Sequence, residues 1–195
     1  MQALSFFKVI ALLGAALLAA PFCSAQVPAS QLAKCAACHG EQGVSVIKGT
    51  PSLAAQPKLF IENQLVLIRE GVRDVPAMKA VLDGVSDTEI SELAKYFSAL
   101  PLPKPSATQD AQVYARGEKL SKDMRCSICH LPTFLGREQI PRLAGQQEEY
   151  LLHSMLQFRS GEAIGRDSNM AAAVIGVSDQ DLKDMSYYFS KLSTQ

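Results

Sequence analysis

The residues able to do chemistry in this chain fall into two matching pentapeptides, Cys35-Ala36-Ala37-Cys38-His39 and, 91 positions later, Cys126-Ser127-Ile128-Cys129-His130. Thiols three residues apart can reach the two vinyl groups of one porphyrin, and the histidine that follows can turn its imidazole under the iron. Each pentapeptide therefore reads as a c-type haem attachment site. Cys-x-x-Cys also occurs as half of a zinc site, as a thiol redox pair and at the start of an iron–sulfur run. Those chemistries leave the histidine, present twice at the same offset, without a task. Two covalent haem c groups are expected, on Cys35/Cys38 and Cys126/Cys129, with His39 and His130 as iron ligands.

The second axial ligand follows by elimination. Only three histidines are present, which leaves His153 and no candidate in the first half of the chain. His153 aligns with Asn63 and reads as a helix-surface residue. Methionine is the other ligand that suits electron-transfer haem. Of the six methionines, Met1 falls in the leader, Met124 has no counterpart, and Met155 and Met185 align with Leu65 and Leu93 as core positions. Met78 and Met170 alone pair across the two halves, each in a loop ahead of a capped helix, and are expected to close the two irons. Such an iron has no open position for substrate, and a soft thioether favours its ferrous state, which describes a carrier.

The elements that position these groups form a tandem repeat. Pro51-Ser52-Leu53-Ala54-Ala55-Gln56 answers to Pro141-Arg142-Leu143-Ala144-Gly145-Gln146. Phe60, Leu65, Ile68, Arg69 and Gly71 return as Tyr150, Met155, Phe158, Arg159 and Gly161, and Tyr96-Phe97-Ser98 returns as Tyr188-Phe189-Ser190. The pattern within each repeat is helical and carries no strong strand signal. Pro57 suits the first turn and Gly71 the stop of a helix with Phe60, Ile61, Leu65 and Ile68 on one face. Ser86-Asp87-Thr88-Glu89 is a capping box that opens a helix through Ile90, Leu93, Ala94 and Phe97. A shorter helix is expected to run into each haem motif, ending near Cys38 and Cys129. The proline-rich stretch Leu100 to Pro105 resists helix and strand.

These signals give an all-α chain with two tandem haem domains of three to four helices each, at residues 26–100 and 110–195, joined by a linker at 101–109. Each domain is too small to bury much core unaided, and the haem would supply the missing apolar centre. Residues 1–25 read as a secretory signal peptide, with Lys8 ahead of an apolar run from Val9 to Phe22 and small residues at Cys23-Ser24-Ala25. That run is short for a membrane span. Its removal takes Cys23 away and leaves four cysteines, all in the two motifs. The chain carries 19 basic and 19 acidic residues, a balance that points to neither nucleic acid nor an anionic membrane.

Two Cys-x-x-Cys-His units, each followed by Pro-x-Leu-Ala-x-Gln, a helix ending in Arg-x-Gly, a loop methionine and a last helix ending Tyr-Phe, resemble the dihaem cytochrome c4 family over essentially the whole mature chain. The resemblance implies two class I cytochrome c domains with His/Met axial ligands, carrying electrons in a bacterial periplasm. It implies that the carbonyls of Pro51 and Pro141 accept hydrogen bonds from the ligating histidines. Partners would be redox proteins: a cytochrome bc1-type or dehydrogenase donor and a terminal oxidase or reductase acceptor, with association to a membrane-bound redox complex compatible with that role. Two features depart from the family pattern: the first repeat has no glycine to match Gly117, and Leu131 stands where the first repeat has Gly40. The alternatives are a cytochrome subunit or dedicated electron acceptor of a periplasmic dehydrogenase, for example one oxidising a sulfur compound, and a dihaem peroxidase-type enzyme.

Overall fold

A computed structural model of the chain describes residues 27–105 and 110–193. The signal-peptide reading of residues 1–25 and the linker residues 106–109 lie outside the described residues. The first repeat folds as α1 (Ala29–His39), α2 (Lys58–Arg69), α3 (Pro76–Leu82) and α4 (Asp87–Ala99). The second folds as α5 (Ala111–Asp123), α6 (Ser127–His130), α7 (Glu148–Ser160), α8 (Ser168–Val174) and α9 (Asp179–Lys191). Among the described residues the only pairing of extended backbone is the isolated bridge between Arg137 and Ile140, so the chain is all-helical, as its periodicity predicts.

Each repeat builds its own core from the apolar faces of three helices. In the first, Ile61 and Ile68 of α2 meet Leu82 of α3 and Ile90, Leu93 and Phe97 of α4. In the second, Leu151, Met155 and Phe158 of α7 meet Val174 of α8 and Leu182, Met185 and Phe189 of α9. Each such fully buried side chain contributes about 1.5–3 kcal/mol relative to exposure. Met155 and Met185 are core residues, as their alignment with Leu65 and Leu93 requires, and His153 is exposed on α7.

Local chemistry fixes the helix ends. The Ser86 hydroxyl accepts from Glu89 N–H while the Glu89 carboxylate accepts from Ser86 N–H at 2.9 Å, the capping box that starts α4. Ser178 caps α9 through Asp181 N–H at 3.1 Å. Pro57 stands just ahead of α2 as its N-cap residue, one position before the first turn in which the sequence places it. The arginine of the repeated Arg-x-Gly signal is a staple. Arg69 donates to the Val85 carbonyl at 2.8 Å and to Asp87 at 2.6 Å, tying the end of α2 to the start of α4. Arg159 does the same with Val177 and Asp179.

Three further sequence expectations are corrected. Met78 and Met170, placed in loops by the sequence pattern, lie within α3 and α8. Those helices are seven residues long, too short to leave a legible 3.6-residue period. The helix expected to run into the second motif is interrupted. It stops at Asp123, Arg125 takes a left-handed φ of 56°, and α6 restarts through the motif, whereas α1 passes through the first motif unbroken. Among the described residues the second repeat thus has five helices, one more than the three to four expected.

The two departures from the family pattern have structural consequences. A Cβ on Gly117 would lie 2.1 Å from the Asp184 carbonyl oxygen and 2.6 Å from the Tyr188 Cβ, so α5 crosses α9 closely enough that only glycine fits. Leu131 takes φ 69° and ψ 159°, a conformation close to that of Gly40 (φ 79°, ψ 152°) and one that side chains pay strain to adopt.

Candidate haem sites

The sites are built where each Cys-x-x-Cys-His helix meets the loop that follows it. Helical spacing places the two thiols about one turn apart, with the histidine next in line. His39 and His130 end α1 and α6 and are 5% and 7% exposed. The loop after each motif returns to put a proline carbonyl beside the ring: His39 Nδ1 is 2.7 Å from the Pro51 oxygen and His130 Nδ1 is 2.8 Å from the Pro141 oxygen. A carbonyl only accepts, so Nδ1 must carry the proton and donate it, which leaves the Nε2 lone pair free in the neutral ring. Burial holds both rings below the ordinary histidine pKa, opposed by the hydrogen bond to the proline carbonyl. A buried neutral imidazole with its tautomer fixed from behind is the form that ligates iron.

The loops are shaped by bonds that repeat. Leu53 N–H and Ala54 N–H donate to the Gly43 carbonyl, and Leu143 N–H and Ala144 N–H donate to the Phe134 carbonyl. Ser45 adds a brace specific to the first loop, donating to the Cys38 carbonyl at 3.0 Å.

Cys35, Cys38, Cys126 and Cys129 are all free thiols, the first of each pair half-buried and the second exposed. Burial pushes the Cys35 thiol up and the Cys126 thiol up to about 11. Redox-active Cys-x-x-Cys pairs work through a depressed thiol pKa, so the shift runs against a thiol redox pair. Among the described residues no three His, Cys, Asp or Glu side chains are grouped to hold a metal ion. Cys35 and Met78 both border the first core, and Cys126 and Met170 both border the second. Met124 also borders the second core, but Met78 and Met170 are the half-buried thioethers that recur at matching positions in both repeats.

The two sites meet at an interface that the sequence does not announce. Gln56 and Gln146, each 3% exposed, cross into the opposite repeat. Gln56 Nε2 donates to the Arg142 carbonyl and Arg142 N–H donates back to Gln56 Oε1, at 3.1 and 2.9 Å. Gln146 Nε2 donates to the Ser52 carbonyl and Ser52 N–H donates to Gln146 Oε1, at 2.9 and 2.7 Å. Both glutamines close the repeated Pro-x-Leu-Ala-x-Gln signal, so repetition was the available clue to them, but their partners lie in the other half of the chain. Arg142 is completely buried beside Pro141. Its guanidinium donates to the Ala54 carbonyl at 2.9 Å and to the Ala144 carbonyl, its Nε is unpaired, and burial pushes it down to about 10. A buried cation held by carbonyls, with a donor to spare, suits a cofactor that carries carboxylates, and with the free Nε2 atoms and free thiols it makes the residues fit haem c.

Comparison with known proteins agrees with this geometry. Residues 30–97 match the family described as cytochrome c oxidase, cbb3-type, subunit III, and residues 114–193 match the cytochrome c family. Cytochrome c4 of Stutzerimonas stutzeri is 30% identical over 86% of this chain and 89% of its own length. The thiosulfate dehydrogenase electron acceptor of Thiomonas intermedia is 32% identical over 80% of this chain and 76% of its own. The crystal structure of reduced cytochrome c4 from Pseudomonas stutzeri superposes with a TM-score of 0.75 at 28% identity, covering 87% of this chain and all of that one. With two cytochrome c domains, each bearing its Cys-x-x-Cys-His pair for one haem c, the chain belongs to the cytochrome c4 family of dihaem electron-transfer proteins.

Proposed function

We propose that this chain is a periplasmic dihaem carrier in which His39 and Met78 close one iron and His130 and Met170 the other, with thioethers at Cys35, Cys38, Cys126 and Cys129. The observation that carries this reading is that each repeat holds both a buried histidine fixed by a proline carbonyl and a half-buried methionine that borders the repeat's core. When bound, each haem supplies a one-electron ferric/ferrous couple. The protein's task is to hold the couple without rearrangement. The Pro51 and Pro141 carbonyls keep each imidazole in one orientation, and the methionines fill the position a substrate would need. Residues 1–25 direct export, and residues 26–100 and 110–195 form the two domains about the linker at 101–109. No helix among the described residues is long and apolar enough to cross a membrane.

The test is spectroscopic. The ferric protein is expected to show the methionine–iron charge-transfer band at both haems, to refuse carbon monoxide when reduced, and to lack peroxidase turnover. Ready binding of carbon monoxide at either haem would overturn the ligand assignment and favour an enzyme.

A second reading concerns the partner. The similarity to thiosulfate dehydrogenase electron acceptors supports a role as the dedicated acceptor of a periplasmic dehydrogenase that oxidises a sulfur compound. Co-purification from the native host separates the two: a stable complex with a dehydrogenase supports the dedicated role, and a free dihaem protein supports a general carrier.

A further inference from the structure

The peptide group that orients each axial histidine has two ends, and the second end is held by the other repeat. The Pro51 carbonyl, which accepts from His39 Nδ1, and the Ser52 N–H, which donates to Gln146 Oε1, belong to one peptide unit. The Pro141 carbonyl, which accepts from His130 Nδ1, and the Arg142 N–H, which donates to Gln56 Oε1, belong to another. In both cases the glutamine amide also donates to the carbonyl of the same residue, 52 or 142. This two-point grip holds residue 52 or 142 at both its N–H and its C=O, anchoring the peptide unit behind the histidine at its N–H and the following unit at its carbonyl. Ser52, Arg142 and both glutamines are all within 3% of full burial, so water does not compete for these bonds.

We infer that Gln56 tunes the haem of the second repeat and Gln146 that of the first, each acting across the interface through the one peptide unit that accepts from the axial histidine. The inference rests on the ligand reading of His39 and His130 given above. Chains of hydrogen bonds polarise one another. Donation from the peptide N–H shifts electron density toward its carbonyl oxygen, which then draws harder on the Nδ1 proton. The imidazole gains anionic character and becomes the better donor to iron. A stronger donor favours the ferric state, so each glutamine holds the opposite haem's potential down. The two relays differ in one respect. Gln146 Oε1 also accepts from Gln147 N–H at 2.8 Å, a bond the Gln56 relay lacks because the next residue there, Pro57, has no N–H.

The decisive experiment is potentiometry on the full dihaem protein, with each potential assigned to its haem by NMR of partly reduced samples. Gln56→Leu is expected to raise the second haem's potential and move the His130 Nδ1–H resonance of the ferrous protein upfield, leaving the first haem in place. Gln146→Leu is expected to do the same to the first haem and His39. Gln147→Leu, which removes the inter-repeat bond from Gln147 Nε2 to the Ser45 carbonyl but spares both relays, is expected to move neither potential. A shift confined to the substituted repeat's own haem, equal shifts of both, no shift, or the same response from Gln147→Leu would overturn the inference. If the leucine variants do not mature, Gln56→Glu and Gln146→Glu keep an acceptor for the peptide N–H and are expected to lower the opposite haem's potential; a rise or no change would overturn it. Loss of the crossed shift with the methionine–iron band intact defeats this inference alone. Carbon monoxide binding by the reduced wild type defeats the ligand reading and this inference together.

Discussion

The two repeats match in their histidine–proline pairs, loops and core but are braced differently at their first helix. In the second, α5 lies across α9 with Gly117 against the Asp184 backbone. Tyr114 meets Tyr188 edge-on with ring centroids 5.0 Å apart, and Arg116 pairs with Asp184 at 2.5 Å. In the first, α1 runs on into the haem motif, and its small residues Ala29, Ala33 and Ala36 face Tyr96 and Phe97 across an open cleft of about 450 Å³. Tyr188 is 5% exposed, while its counterpart Tyr96 is only half-buried. The setting of the histidine can therefore be repeated while the helix that supports it is not, because the ring is held from the loop side by a proline carbonyl that does not depend on how the first helix packs.

If ligation is matched and bracing is not, substitutions at the iron should act alike in both repeats and substitutions at the first helix should not. The largest effect is expected from Met78→Ala and Met170→Ala. Each should open one iron to carbon monoxide and lower that haem's potential by loss of the soft ligand, leaving the other haem nearly unchanged. Carbon monoxide titration and potentiometry check this, and a response from only one of the pair would break the equivalence.

Next comes Gly117→Ala, which forces a Cβ into the Asp184 carbonyl and should cost the second repeat about 2–3 kcal/mol by overpacking. Denaturant unfolding followed separately at the two haem environments should show the loss in the second alone. A smaller effect of opposite sign is expected from Leu131→Gly. Release from the strained φ is worth about 1–3 kcal/mol, and the added chain entropy of glycine takes back about 0.5–1, so the second repeat should gain about 1 kcal/mol. Gly40→Leu should instead destabilise the first, since its Cβ would meet the Val44 carbonyl at 2.3 Å.

The smallest effect is one of pH. Hydrogen bonding from Arg116 holds the Asp184 carboxyl below its ordinary value of 3.8, against the effect of burial. A depressed folded-state value means the pair stabilises the second repeat above the unfolded pKa, and that contribution disappears as pH falls through the lower folded one. Glu92, at the matching position in α4, pairs instead with Lys95 at 3.6 Å on the surface. Asp184→Asn should therefore flatten the acid limb of the second repeat's stability curve and leave the first repeat's unchanged, as acid titrations at fixed denaturant would record.

What could be read from the sequence was what covalent spacing and short-range pattern impose. Cys-x-x-Cys-His fixes thiols and imidazole within one helical turn, the Ser86 box closes within three residues, and the repeat exposes Met78 and Met170 by their pairing alone. Local periodicity fell short where elements are brief or broken: α3 and α8 are too short to show a period, and the stop before Cys126 turns on one left-handed residue, Arg125, that composition does not mark. Repetition marks the two glutamines of the interface, but their partners lie beyond sequence reasoning. Gln56 and Gln146 are ordinary polar residues in a repeated hexapeptide, and Arg142 stands where the first repeat has serine. Their burial, and the reach of each glutamine to the peptide behind the other repeat's histidine, arise only when residues some 90 positions apart are folded face to face, because a side-chain amide takes its partners from the surface that folding presents to it.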